Sequence, residues 1–281
     1  MIKPDRYFHD TWRIFCTFLN PMKNACYIFF LFSALALAQK TINAKLIDSM
    51  PLQVESIFGV DTFGTLYFST ENNTFHKAAK ETTMTYANFQ LGKITSANTF
   101  NPLKLNLFYE DFNTVIILDN RLAEIFKIDF NTVLPYKNVS FVSTGFDNTL
   151  WIFNQDLQQL ELYDYKSRKT RLKTVPIQST ILDLKSDYNN CYLLTEDYLY
   201  IYNYFGSLTS KHKNEGFEKL AFNKAHLVLK KGNQLYMLQK NDSVIQAIKH
   251  PNLLIKQFLV TNESLYIYHD EMLRQYQLKI Q

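Results

Sequence analysis

From about residue 50 onward, hydrophobic and polar positions alternate in short runs, and the runs recur as a longer unit. The unit is a hydrophobic strand, a polar turn rich in Asn, Asp or Gly, then a strand with Leu or Val beside an aromatic or aliphatic residue. Residues 64–68 (Gly-Thr-Leu-Tyr-Phe) and 148–152 (Asn-Thr-Leu-Trp-Ile) are clear copies, as is the segment around Leu265; 113–117, 190–193 and 226–229 are weaker ones. With Leu66, Val115, Leu150, Cys191, Leu227 and Leu265 as equivalent points, the intervals are 49, 35, 41, 36 and 38 residues. A period near ~40 residues accommodates four short strands and their turns. The turns of a β-sandwich recur every ~8–12 residues without such a longer period.

Strands are expected at 179–185, 190–195, 198–202 and 207–211, then at 217–222, 225–229, 235–238 and 244–248. The final unit has strands near 255–260, 265–268 and 273–279, so it is one strand short. Residues 41–47 form a strand with no unit of their own. The expected fold is therefore all-β, a six-bladed β-propeller closed by this N-terminal strand completing the last blade, since closure removes exposed edges. No stretch sustains a 3.6-residue period, so almost no helix is expected.

Composition supports strands: 18 Tyr and 23 Phe in 281 residues suit a pleated, packed surface. Residues 25–38 are an uncharged apolar run, preceded by Lys23 and ended by Ala36-Leu37-Ala38. Such a run is a secretory signal peptide, too short for the ~20 residues of a membrane span. The expected domains are a signal peptide at 1–38 and one propeller domain at 39–281, with no transmembrane segment in the mature chain. Met22-Lys23 would itself make a normal signal start, which makes 1–21 a candidate upstream extension. Gln39 follows the cut, so no lipid-accepting cysteine stands there. Localisation is expected to be periplasmic or extracellular, with peripheral outer-membrane association open. The leader removes four basic residues (Lys3, Arg6, Arg13, Lys23) and two acidic ones (Asp5, Asp10) from totals of 30 and 26, leaving a net charge of +2. That balance argues against a nucleic-acid partner. Of three cysteines only Cys191 follows the leader, so no internal disulfide is expected and Cys191 reads as a buried strand residue.

At residues 101–113 (Asn-Pro-Leu-Lys-Leu-Asn-Leu-Phe-Tyr-Glu-Asp-Phe-Asn) and at Leu118-Asp119-Asn120 the chain resembles six-bladed propellers of the NHL and TolB-like type and a group of secreted bacterial propellers. The fold-level likeness covers residues 41–281. The Asn-His-Leu phrase of NHL repeats is absent, and the group supplies no activity to carry over.

Motifs for chemistry are sparse. The histidines (His9, His76, His212, His226, His250, His269) show no metal-ligand spacing, and no cofactor or metal site is expected. A dispersed channel site of the lactonase kind would draw on Asp61, Glu110, Asp147 and Asp187, residue types that more often make turns. The tyrosine run at 198–205 reads as packing. The leading expectation is a non-enzymatic protein-interaction scaffold in the cell envelope with a protein partner. The alternatives are a small-molecule or sugar binder using the central channel, and a lactonase-like hydrolase. The long first interval points to a loop insertion before residue 101, with Lys104, Tyr109, Asp111, Asn120 and Arg121 expected to surface around it as the interaction site. N-terminal sequencing of the exported protein should return Gln39 as the first residue; a retained 25–38 segment would refute the leader.

Overall fold

A computed structural model describes residues 41–223, 226–239, 244–262 and 264–279. The expected leader and its Ala38–Gln39 junction lie outside these residues. Strand β1 (Ile42–Pro51) comes first. Four-stranded antiparallel meanders follow. The first is β2 (Ser56–Val60), β3 (Leu66–Ser69), β4 (Phe75–Ala78) and β5 (Thr83–Tyr86). The second is β6 (Ser96–Asn98), β7 (Leu105–Tyr109), β8 (Thr114–Leu118) and β9 (Glu124–Asp129). The third is β10 (Val139–Thr144), β11 (Thr149–Asn154), β12 (Gln159–Asp164) and β13 (Lys169–Lys173). The fourth is β14 (Ile181–Ser186), β15 (Asn190–Thr195), β16 (Tyr198–Asn203) and β17 (Leu208–Lys213). An eight-stranded sheet completes the chain. It is built from β18 (Lys219–Phe222), β19 (His226–Lys231), β20 (Gln234–Gln239) and β21 (Ile245–Lys249), then β22 (Gln257–Thr261), β23 (Ser264–His269) and β24 (Met272–Lys279). Strand β1 lies between β21 and β24. Its antiparallel register with β24 runs from Asn43↔Lys279 to Pro51↔Met272. Its parallel pairing with β21 covers only Ile42↔Ile248 and Asn43↔Lys249. The expected pairing of the N-terminal strand with the end of the chain is thus present. Two 3₁₀ turns, at Glu110–Phe112 and Phe130–Thr132, are the helical elements among the described residues.

The sequence explains why the sheets assemble face to face. Every residue of β11 is buried, so neither face can meet water. Leu150 and Ile152 pack with Val115 and Ile117 of the second meander, while Trp151 and Phe153 pack with Cys191 and Leu193 of the fourth. Strands buried on both faces read as continuous apolar runs, as residues 115–118 do. Six apolar clusters among the described residues join neighbours in this way, and the last joins Ile57 and Leu66 of the first meander to Tyr268 and Leu273 at the end of the chain. Burial of each large side chain contributes about 1.5–3 kcal/mol. Cys191 is fully buried in this packing, and burial pushes its thiol well up.

The inner strands touch in a closed cycle: β2, β6, β10, β14, β18, β22 and back to β2. Polar side chains stitch the cycle. Asn98 donates to Ser143 Oγ at 3.0 Å, Ser186 Oγ donates to the Thr144 carbonyl, Leu220 N–H donates to Asp183 at 3.0 Å, and Ile57 N–H donates to the Gln257 side chain at 2.8 Å. Gly59 is required at the first contact, where a Cβ would strike Thr99 Oγ1.

One repeat assignment changes. Val115 lies on β8, the third strand of its sheet, whereas Leu66 and the other reference residues lie on second strands. The corresponding residue is Leu105, which turns the first two intervals into 39 and 45. The longer interval falls after Leu105, where both 3₁₀ turns lie, so no insertion precedes residue 101.

A buried ion pair fastens the second link to the third meander. Lys137 Nζ meets Glu161 Oε2 at 2.6 Å, with side chains 3 % and 0 % exposed. Burial opposes the Glu161 charge, but hydrogen bonds from Lys137, Thr170 and Asn154 outweigh it and hold the carboxyl below its usual range. This contribution to stability is fully present above the ordinary carboxylate pKa of about 4.3 and is lost as pH falls through the lowered folded value. Lys137→Ala should cost about 3–5 kcal/mol in urea unfolding, because it strands a buried carboxylate. Glu161→Gln should flatten the loss of stability in acid. Deleting residues 39–49 should lower the melting midpoint of the whole domain, because β1 covers the edge of β24; an unchanged midpoint would refute its closing role.

Candidate interaction face

In an antiparallel meander, the first and third turns lie at one end of the sheet, here termed the odd-turn end. The second turn and the link onward lie at the other, the even-turn end. Short Asx turns shape both, with an Asp or Asn side chain accepting the backbone N–H two residues on. At the odd-turn end, Asp61 holds Phe63 N–H at 2.8 Å, Asn98 holds Phe100 at 3.2 Å, Asn101 holds Leu103 at 3.0 Å, and Asn203 holds Phe205 at 3.0 Å. In the same way Asp119 holds Arg121 at 2.8 Å, Asp164 holds Lys166 at 3.0 Å and Asp187 holds Asn189 at 2.8 Å. At the even-turn end the residues so held are Thr74, Gln90, Asn131 and Gly216. The same device therefore projects mostly apolar or cationic side chains at one end, and polar or small residues at the other. Phe63 is 85 % exposed, Phe205 68 % and Leu103 66 %. Gly64 and Gly206 follow the two phenylalanines with positive φ, which lets each turn close tightly.

Rings at this end join separate sheets. Phe100 of the second meander reaches Tyr188 of the fourth at 5.2 Å, edge on, and Phe222 of the eight-stranded sheet at 6.2 Å. Phe146 of the third meander meets Tyr204 of the fourth at 5.7 Å and lies 5.4 Å beneath the Arg171 guanidinium. Lys104 ties its loop to the third meander by donating to the Asp147 carbonyl, and burial pushes its ammonium pKa down against the raising effect of Asp147. The even-turn end also exposes apolar side chains, Phe89, Leu134 and Val175 among them. Among the described residues their side chains make no ring contact.

No protein-family description and no curated relative matches this sequence. Solved structures do. The chain is similar to a catalytically inactive variant of virginiamycin B lyase from Staphylococcus aureus with quinupristin, at 10 % identity and TM-score 0.58, covering 86 % of this chain and 97 % of that one. It is similar to a chain of the mitotic checkpoint complex at 12 % identity and TM-score 0.59, covering 85 % and 86 %. It is also similar to the Pan2 WD40 domain of Neurospora crassa at 10 % identity and TM-score 0.56, covering 81 % and 76 %. The chain is a β-propeller.

Within the propeller the five residues expected to surface together separate. Lys104, Asn120 and Arg121 belong to the odd-turn end, whereas Tyr109 and Asp111 lie at the even-turn end, about 16 Å away along β8. Asp111, Asn120 and Arg121 are exposed. Lys104 and Tyr109 are buried, at 9 % and 1 %, contrary to their expected exposure: Tyr109 packs with Leu107 and Ile116, and the Lys104 ammonium lies over the Tyr165 ring, 5.9 Å from its centroid. Of the four carboxylates weighed for a channel metal, Asp61 and Asp187 hold their own turns, and Glu110 lies at the opposite end from the other three. Among the described residues no group of three or more His, Cys, Asp or Glu is placed to hold a metal ion. Sequence reading missed Phe63, Leu103 and Phe205. The signal was there: residues 61–65 and 203–207 both read Asx-x-Phe-Gly-Ser/Thr.

Tyr109→Ala should cost about 3–5 kcal/mol as a core truncation. Arg121→Ala should stay within about 0.5 kcal/mol of wild type. Urea denaturation of the two variants checks the assignment of one to core and the other to surface.

Proposed function

We propose that this protein is an exported, non-enzymatic, six-bladed propeller that serves as a protein-interaction scaffold in the cell envelope and docks its partner on the odd-turn end. The blade count is supported by the six apolar clusters and the closed cycle of inner strands. On this reading the eight-stranded sheet is two blades that meet at β1, whose extensive register belongs to β24. Export is supported by the uncharged 25–38 run and its small-x-small end.

The fold itself does not choose a function, since its structural neighbours include both a lyase and a member of a checkpoint complex. The observation that carries the reading is the unequal use of one turn. Asx turns place Phe63, Phe100, Leu103, Arg121 and Phe205 outward at a single end. Apolar side chains carried on a turn whose backbone is already fixed cost less ordering on binding than those of a mobile loop. Aromatic and Arg side chains are also the types that anchor protein interfaces. Asn120 and Arg121 remain candidate contacts on this face.

In-cell cross-linking of the tagged full-length chain, read by mass spectrometry, tests this. A Phe63→Ser/Leu103→Ser/Phe205→Ser variant should lose the specific adduct while its melting midpoint shifts by no more than about 2 °C. Phe89→Ser/Val175→Ser, at the opposite end, should keep the adduct. The reverse pattern would place the working surface on the even-turn end.

A further inference from the structure

The third turn of the third meander and its outer strand carry Lys166, Arg168, Lys169, Arg171 and Lys173 with no acidic residue between them. Arg171 is paired with Asp164 at 2.6 Å, and Lys173 lies 4.0 Å from the buried Glu161. Among the described residues Lys166, Arg168 and Lys169 make no ion pair, and all three are exposed. This cationic ridge is continuous with the aromatic cluster of the next meander. Tyr204 touches both Phe146 and Phe205, Arg171 covers the Phe146 ring, and Gly206 packs so tightly on Leu172 that a Cβ would strike it.

We infer that this junction of the third and fourth meanders is the specific seat for an acidic protein segment, one that presents Asp or Glu around an aromatic or aliphatic side chain. The inference rests on the reading of the odd-turn end as the docking face. Charge complementarity selects the occupant. A partner's apolar side chain would cover Phe205 and Tyr204, and its carboxylates would face Lys166, Arg168 and Lys169. Uncompensated like charges repel one another in the free protein, so an acidic partner gains relief of that repulsion as well as direct attraction. Edge protection accounts for the lysines on the β13 strand, but Lys166 and Arg168 stand in the turn, where there is no ladder to protect. The composition of the patch, with aromatics and Arg at its centre and Lys at its rim, is that of a protein interface.

The experiment is panning of a random dodecapeptide display library on the purified mature chain, with phosphatidylglycerol vesicles as a second probe. Enriched peptides should combine Asp or Glu with Phe, Tyr, Trp or Leu. Their retention should fall about tenfold on Arg168→Glu/Lys169→Glu and on Phe205→Ser, and fall as salt rises. Neutral or basic enriched peptides would overturn the inference, as would equal retention by the charge-reversed variant or no enrichment over bare beads. Vesicle capture lost in the same variants, without acidic peptides, would assign the ridge to lipid and overturn it too. If the peptides fail while Phe63→Ser/Leu103→Ser/Phe205→Ser still abolishes the in-cell adduct, the docking face stands and only the acidic partner falls.

Discussion

Burial of each central strand on both faces is the constraint from which the rest of this structure follows. A strand such as Thr149–Asn154 has no face that can meet water, so its sheet needs a neighbour on either side. An open stack would leave two apolar faces uncovered at its ends. The cycle of inner strands, with β22 returning to β2, removes both. Within each unit the outer edge is then the remaining liability. Charged residues on β13 and β17 guard two of those edges, and β1 covers the edge of β24.

Because packing uses the strands so completely, little side-chain freedom is left there for recognition. Several of the polar groups that lie between the sheets are committed to structure. Asn98, Asp183, Ser186 and Gln257 join neighbouring inner strands, and the Lys137–Glu161 pair closes a buried link. On the proposed reading, recognition is left to the turns. There the Asx geometry sets backbone shape independently of the residue it presents, so the presented side chain is free to vary. The contrast between Phe63, Leu103 and Phe205 at one end and Thr74, Gln90 and Asn131 at the other is visible only because the supporting turn is the same.

Charge is distributed on the same principle. Inside, Glu161 collects three hydrogen bonds, one of them from a lysine, which is what a buried carboxylate requires. Outside, Lys166, Arg168 and Lys169 of the third meander's final turn and outer strand make no ion pair among the described residues, and they stand next to the ring that Arg171 covers. The Glu161 charge is compensated within the chain, and those three cations have no such ion pair among the described residues.

The amino-acid sequence alone was enough for the all-β class, the recurrence near ~40 residues and the pairing partner of residues 41–47, because strand alternation and turn residues are properties of contiguous chain. Strands from 179 to 279 fell close to their observed bounds for that reason. Tertiary structure decided what local pattern cannot. Asn113–Ile117 resembles a second strand but is a third, since β7 and β8 are both buried along their whole length and only pairing across the sheet separates them. Tyr109 and Arg121, twelve residues apart, part company because β8 runs between them, burying one among Leu107 and Ile116 and sending the other to the far end. Phe100, Tyr188 and Phe222 stand far apart in sequence, and Phe146 and Tyr204 nearly sixty residues apart, yet closure of the ring brings each set together at one end. A surface built from contacts at such separations has no local pattern to betray it, because what makes it one surface is the packing of sheets against sheets.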